Sequence, residues 1–284
     1  MMWRTRFLIL YTLIASSIPV SYELPAQDLA GTISWADSQF STGNLTVAQK
    51  AYLRALFFSD GKDNLYLFTQ IARISYLNGD YESAQKYFGL AYDQTENDSL
   101  RTELIFYKAS SQILNHNYQY AIMDLFSIRD SSLSVKKRVD FYLGTCYFGL
   151  EDFENSGKYF ESCTSGLRRE EVKQLFSEKK LFTPSPRKAK IMSMIIPGLG
   201  QTYAGDVKAG LNSLMLTSGL VALGINISLK YRPIDAFFSV LPWYQRYYLG
   251  GFGKAEEIAF KKRQQNRDAI YQKVLALIAE EVGG

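Results

Sequence analysis

The chain has 284 residues, a net charge of +4 and a hydrophobic fraction of 47 %, enough for one large domain or two modest ones, and too polar to lie mostly in a membrane. Its basic residues are spread along the chain or flank apolar segments, with no stripe of the kind that holds nucleic acid. One His and two Cys leave almost no material for a metal site or a His-based catalytic group, and no Ser-His-Asp set or paired-carboxylate pattern is present; neither a cofactor nor an enzymatic activity is expected.

Residues 1–26 have the order of a secretory signal. Arg4 and Arg6 precede an apolar run from Phe7 to Val20, 14 residues long and short for a membrane span. Small residues follow, with Ala15 and Ser17, or Ala26, as candidate cleavage positions. An uncleaved anchor and a buried first helix are the alternatives. No Cys lies within residues 1–26 for lipid attachment.

Trp35 to Gly166 contains an internal repeat. The small residues Ala48, Ala84, Ala121 and Ser156 recur at spacings of 36, 37 and 35. Three positions before them stand Leu45, Tyr81, Tyr118 and Phe153, and four after them Tyr52, Phe88, Leu125 and Phe160. Twelve before them a second small set appears, Ala36, Ala72, Ala109 and Gly144. Two small positions per repeat let a pair of helices approach closely, and the large residues between them fill the next pair. Turns reading STGNL, LNGDY, NHNYQ and LEDFE break each pair.

This pattern resembles the tetratricopeptide repeat, most closely at YLNGDYESAQKYFGLAY, residues 76–92. The period is slightly longer than the usual 34 of that family, and His116-Asn117 and Glu151-Asp152 stand where Gly-Asp is usual. The resemblance implies an all-α helical-hairpin solenoid whose groove holds an extended peptide or a helix of a protein partner. Gln70, Arg73, Gln112 and Tyr142 are the candidate groove residues, and an irregular helical bundle is the alternative fold.

After a charged segment, LRREEVKQLFSEKK, which suits a polar solenoid cap, TPSPRKAK breaks the chain and supplies Arg187, Lys188 and Lys190. Ile191 to Gly205 is uncharged but interrupted by Pro197, Gly198 and Gly200, so a re-entrant or hairpin-forming piece is expected. Ala209 to Leu229 then runs 21 residues without a charge, and about 20 suffice to cross a hydrocarbon core. Within it Ala209, Ser213 and Thr217, then Ser218, Ala222 and Asn226, form a small and polar stripe suited to helix packing in lipid. A buried soluble hairpin is the alternative.

KAKIMSMIIPGLGQTYAGDVKAG resembles a short bacterial membrane module of unknown function, often found beside tetratricopeptide-like repeats, and more loosely the two-helix TM2 domain. The residues that carry the resemblance are Ser193, Pro197, Gly198, Gly200, Gln201, Tyr203, Gly205 and Gly210. It implies contact with membrane lipid and no activity.

Tyr231 to Gly253 reads as a short second span or an interfacial hairpin, with Trp243, Tyr244, Tyr247, Tyr248 and Arg246 suited to a membrane interface. Lys254 to Val282 reads as a solvated amphipathic helix that packs back on the protein, with a coiled coil as the alternative. The expected organisation is therefore a signal peptide at 1–26, a repeat domain at 27–183, a membrane module at 184–253 with an embedded helical hairpin, and a C-terminal helix at 254–284.

Export would place the repeats in the periplasm of a bacterial envelope, although Arg187, Lys188 and Lys190 on the outer side run against the positive-inside tendency. Cys146 and Cys163 are buried thiols or an oxidised pair. The functional expectation is a membrane-anchored scaffold that binds a protein partner. The alternative makes the membrane module the working part, aiding assembly or transport in the envelope. Self-association into a homo-oligomer is open on either reading.

Overall fold

The structure, a computed structural model, describes residues 28–283. The expected signal segment lies outside the described residues. Among those residues there are 13 α-helices and no strand. They divide into two compact units, one ending at Asp130 and one beginning at Ser131.

In the first unit α1 (Leu29–Ser41) packs on α2 (Leu45–Phe58), α3 (Asn64–Leu77) on α4 (Tyr81–Asp93), and α5 (Asp98–Leu114) on α6 (Tyr118–Phe126). Neighbouring pairs meet through α2 with α3 and α4 with α5. The small residues of the repeat do what their spacing predicts. Ala36, Ala48, Ala72, Ala84, Ala109 and Ala121 are all fully buried. Tyr52 and Phe88 fill the space beside them, within apolar clusters that join α1 to α3 and α3 to α5. The Tyr52 and Tyr66 hydroxyls both donate to Asp37 Oδ1 at 2.5 Å, tying α1, α2 and α3 through one carboxylate. Burial and this carboxylate together hold both phenols in the protonated form.

One turn chemistry serves all four repeats. Gly43, Gly79, His116 and Glu151 each take a left-handed conformation, with φ of 80°, 77°, 59° and 61°. The next residue, Asn44, Asp80, Asn117 or Asp152, sends its N–H back five residues to Gln39, Ser75, Gln112 or Tyr147. That closes a helix with an αL cap. Asp80 and Asp152 then cap the following helix, accepting from Ser83 N at 3.0 Å and Asn155 N at 3.2 Å. A non-glycine residue in this conformation costs roughly 1–2 kcal/mol, so His116 and Glu151 require compensation. His116 Nδ1 lies 2.8 Å from the Tyr118 hydroxyl.

In the second unit α7 (Leu133–Gly149) and α8 (Phe153–Cys163) form the fourth hairpin, followed by α9 (Gly166–Ser177) and a 3-10 turn at Lys179–Leu181. The buried Ser156 hydroxyl donates to Gly144 O at 2.9 Å. A Cβ on Gly144 would stand 2.9 Å from the Phe160 ring, so the closest approach of this pair requires glycine. Four helices follow: α10 (Pro186–Ile195), α11 (Leu199–Tyr203), α12 (Val207–Lys230) and α13 (Pro233–Gly283).

The 51 residues of α13 form one helix, about 76 Å long at 1.5 Å per residue. The interfacial hairpin and the separate C-terminal helix read from the sequence are replaced by this one continuous helix. Pro242 and Gly250, Gly251 and Gly253 weaken the middle of α13, but tertiary packing outweighs propensity there. Ala255 and Ala259 are fully buried against Ala189 and Ala204. Farther on, Ile270, Val274 and Ile278 enter the cluster of Phe153, Phe160, Cys163, Val172 and Leu181. Each such side chain contributes about 1.5–3 kcal/mol on burial. This return of α13 onto α7–α9 is why the fourth hairpin clusters with the C-terminal half and not with the first three.

Candidate functional site

The motif from Ser193 to Gly210 forms a closed hydrogen-bonded clasp. The Ser193 hydroxyl donates to Gln201 Oε1 at 2.8 Å and accepts from Gly200 N at 2.9 Å. Gln201 Nε2 then donates to Gly251 O at 2.8 Å, which joins α11 to the middle of α13. Ser193 and Gln201 are buried, at 2 % and 1 % exposure. Both polar side chains of the clasp are thus used internally, and neither is left for a ligand. The Tyr203 hydroxyl accepts from Ser185 N at 3.2 Å, and Tyr248 donates to Met194 O at 2.7 Å.

The glycines answer to backbone proximity. Gly198 has φ of 92°, and a Cβ there would collide with the Gly210 carbonyl. A Cβ on Gly200 would enter the Ala189 carbonyl, and one on Gly210 the Thr202 hydroxyl. Pro197 lies in the break between α10 and α11. Gly205 is left-handed at φ 94°, Asp206 N donates to Gln201 O at 2.9 Å, and Asp206 Oδ1 caps α12 by accepting from Ala209 N at 2.9 Å. This is the repeat turn again, reused at the entrance to α12. All eight motif residues therefore have packing, turn or capping roles.

α12 is the one described helix long and apolar enough to cross a membrane. It runs antiparallel to the first part of α13, with Gly224 beside Val240 and Ser213 beside Gly251. Thr217 is buried in this seam, whereas Ser218, Ala222 and Asn226 face outward. Only half of the stripe read from the sequence packs within the chain. The rest of the hairpin surface is apolar and open: Leu211, Met215, Leu223, Ile225, Phe237 and Phe238 are all exposed. Charges gather at its two ends, with Lys230, Arg232 and Asp235 at the tip and Lys208, Lys254 and Glu256 at the base. A Lys190 to Glu256 ion pair of 2.8 Å joins α10 to that base.

Arg246 does not stand at either end. The antiparallel register puts it opposite Ser218, near the centre of the uncharged stretch 209–229. The register therefore sets Arg246 away from both charged ends of the hairpin. Trp243 stacks on Tyr247 and Tyr244 on Tyr248 along the same segment, again toward mid-hairpin.

The groove residues fare unevenly. Gln70 and Gln112 are buried, at 9 % and 4 % exposure, so neither offers an open surface. Gln112 Nε2 donates to Asp124 Oδ2 at 2.8 Å, and the same carboxylate takes Lys108 at 3.0 Å, making an α5–α6 link. Arg73 is exposed and lies 5.4 Å over the Phe40 ring. Tyr142, in the second unit, is half-buried and edge-on to Phe141. The larger exposed side chains on the first helix of each pair are Trp35, Tyr66 and Tyr107.

A contact not foreseen in the sequence binds α13 to the fourth hairpin. Arg267, 5 % exposed, donates to both Glu151 oxygens at 2.6 and 3.0 Å and to Leu181 O at 3.0 Å, with its guanidinium 4.8 Å over Phe153. The Arg267 hydrogen bond holds the Glu151 carboxyl below its usual range. Glu151 is the residue that replaces glycine in the repeat turn, and that departure is the available signal. Cys146 and Cys163 are free, buried thiols pushed up to about 12 by burial.

No family model, no curated protein and no solved structure matches this chain.

Proposed function

We propose that the chain is a membrane-anchored scaffold in a bacterial envelope, binding a protein partner through tetratricopeptide-like repeats. The observation that carries this reading is α13. Its first half lines the exposed apolar hairpin, and its second half is locked into the fourth hairpin through Arg267 and the Ile270 cluster. A helix shared in this way ties the fourth hairpin to a lipid anchor. The spacing supports the anchor: on α12 an uncharged length of about 30 Å separates the charged tip from the charged base, close to one hydrocarbon core, and on α13 Arg246 alone interrupts the corresponding length.

On this reading α12 and the first half of α13 cross the membrane as a pair, and the Ser193–Gln201–Gly251 clasp fixes the pair at its base. The three hairpins of the first unit, closed by one turn geometry, support a solenoid. Trp35, Arg73, Tyr66 and Tyr107 are its partner-facing residues, and the repeats lie outside the cytoplasm with the Lys230–Asp235 tip inside. The fully satisfied clasp favours an anchoring role for the module over an active one.

The test uses the full chain in intact cells. A photoreactive residue placed at Tyr107 should give one discrete protein adduct from an alkaline-washed membrane fraction, lost on Arg73→Ala with Tyr66→Ala. An adduct pattern unchanged by that double substitution would sink the groove. Release of the protein by alkaline wash would sink the anchor.

A further inference from the structure

Arg246 is the one charged residue between Asp235 and Lys254. It lies eleven residues from the first and eight from the second, about 16 and 12 Å along the helix axis. Its side chain is exposed, and among the described residues it has neither an ion pair nor a hydrogen bond. With 3.6 residues per turn, it points away from the α12-facing positions Ala236, Val240 and Gly251. A cation in this position is at home in water. At mid-depth in a bilayer it is costly, and such residues characteristically pair with an opposite charge.

The chain cannot supply that charge from its own spans. No Asp or Glu occurs between Asp206 and Asp235, nor between Asp235 and Glu256. A second copy brings the same sequence and the same deficit at mid-depth. The counter-charge must come from another molecule. The local relief suits a helix: on the same outward face as Arg246 stand Ser239, Pro242, Gly250 and Gly253, and a Cβ on either glycine would meet nothing within 4 Å. Low side chains let a second backbone come close enough for a short acid side chain to reach a guanidinium.

We propose that the outward face of α13 around Arg246 docks a transmembrane helix of a different protein, one that carries an Asp or Glu at mid-depth. This rests on the membrane-spanning reading of α12 and α13. The partner is recognised by a charge-assisted, two-pronged contact to Arg246, and the flanking small residues set the approach distance. Specificity follows from the same chemistry, because a helix without the acid leaves Arg246 uncompensated in lipid.

The experiment reconstitutes the full-length protein in zwitterionic phosphatidylcholine vesicles, checked first by flotation. Energy transfer is then measured to three synthetic leucine-based transmembrane peptides that differ only in a central Glu, Gln or Leu. The Glu peptide should associate about tenfold more tightly than the Leu peptide. Arg246→Leu should abolish that preference, and Arg246→Lys should recover only part of it, since lysine lacks the bidentate fork. Equal association of the Glu and Leu peptides overturns the proposal. A Glu preference that survives Arg246→Leu overturns it too. Loss of the preference on adding anionic lipid would assign Arg246 to a lipid phosphate and not to a helix, which also overturns it. Failure of the protein to float with vesicles is a different result: it removes the membrane reading itself, and this proposal with it.

Discussion

Glu151→Gly restores the residue that the repeat pattern favours at the turn between α7 and α8. If Glu151 were merely a tolerated variant, glycine would stabilise the protein by about 1 kcal/mol, by relieving a left-handed residue at φ 61°. The structure leads to the opposite sign. Loss of the carboxylate leaves the Arg267 side chain, 6 % exposed, with Leu181 O and the Phe153 ring as its remaining contacts. Removing one partner of a fully buried pair costs about 3–5 kcal/mol. The Glu151 side chain is 53 % exposed, so solvent screens the pair and about 1–3 kcal/mol is expected. Glu151→Gly should therefore destabilise by about 1 kcal/mol net, and Glu151→Ala, which keeps the strain, by about 1 kcal/mol more. In an Arg267→Met background the sign should reverse, and Glu151→Gly should stabilise. Thermal unfolding of the full-length protein in mild detergent reads this as shifts of roughly 2–4 °C per kcal/mol. The acid limb gives a second readout. Because the Glu151 pKa is depressed in the folded state, the pair contributes above the ordinary carboxyl value of 4.5 and is lost as pH falls through the lower folded value. The stability gap between wild type and Arg267→Met should close in that acid range. A stabilising Glu151→Gly in the wild-type background would refute the clamp.

Two further sets of substitutions test the packing. Gly144→Ala should cost about 1–3 kcal/mol by driving a methyl into Phe160, whereas Gly89→Ala, with Lys108 Cε at 3.8 Å as its nearest neighbour, should be neutral or stabilise by up to about 1 kcal/mol; equal melting points would contradict this account of the repeat. Gln201→Leu removes the acceptor of the Ser193 hydroxyl proton and the side-chain donor to the Gly251 carbonyl and should cost about 1–3 kcal/mol, read as faster protease cleavage near α11 in vesicles, while unchanged cleavage would mean the clasp is dispensable.

The repeat is legible along the chain because its physical cause is local and periodic. Ala48, Ala84 and Ala121 recur at intervals of 36 and 37, and the αL turn needs only its own few residues. The uncharged stretch 209–229 is legible for the same reason, since length and the absence of charge are properties of a segment. The glycines at 198, 200 and 210 can be marked as a motif from their spacing, but not explained by it. Their requirement comes from the carbonyls of Gly210 and Ala189 and the hydroxyl of Thr202, which only folding brings into place.

What the sequence determined by itself was therefore the helical class, the hairpin repeat and one span-length apolar helix, each the outcome of side-chain periodicity along a segment. The tertiary structure decided the rest. It joined residues 233–283 into one helix despite Pro242 and three glycines, because packing on α10–α12 and α7–α9 outweighs weak local propensity. It buried Gln70 and Gln112, whose polarity alone suggests an open groove. It paired Arg267 with a glutamate 116 residues away and set Arg246 opposite Ser218, because charge partners and membrane depth depend on register between helices, which one-dimensional spacing does not carry.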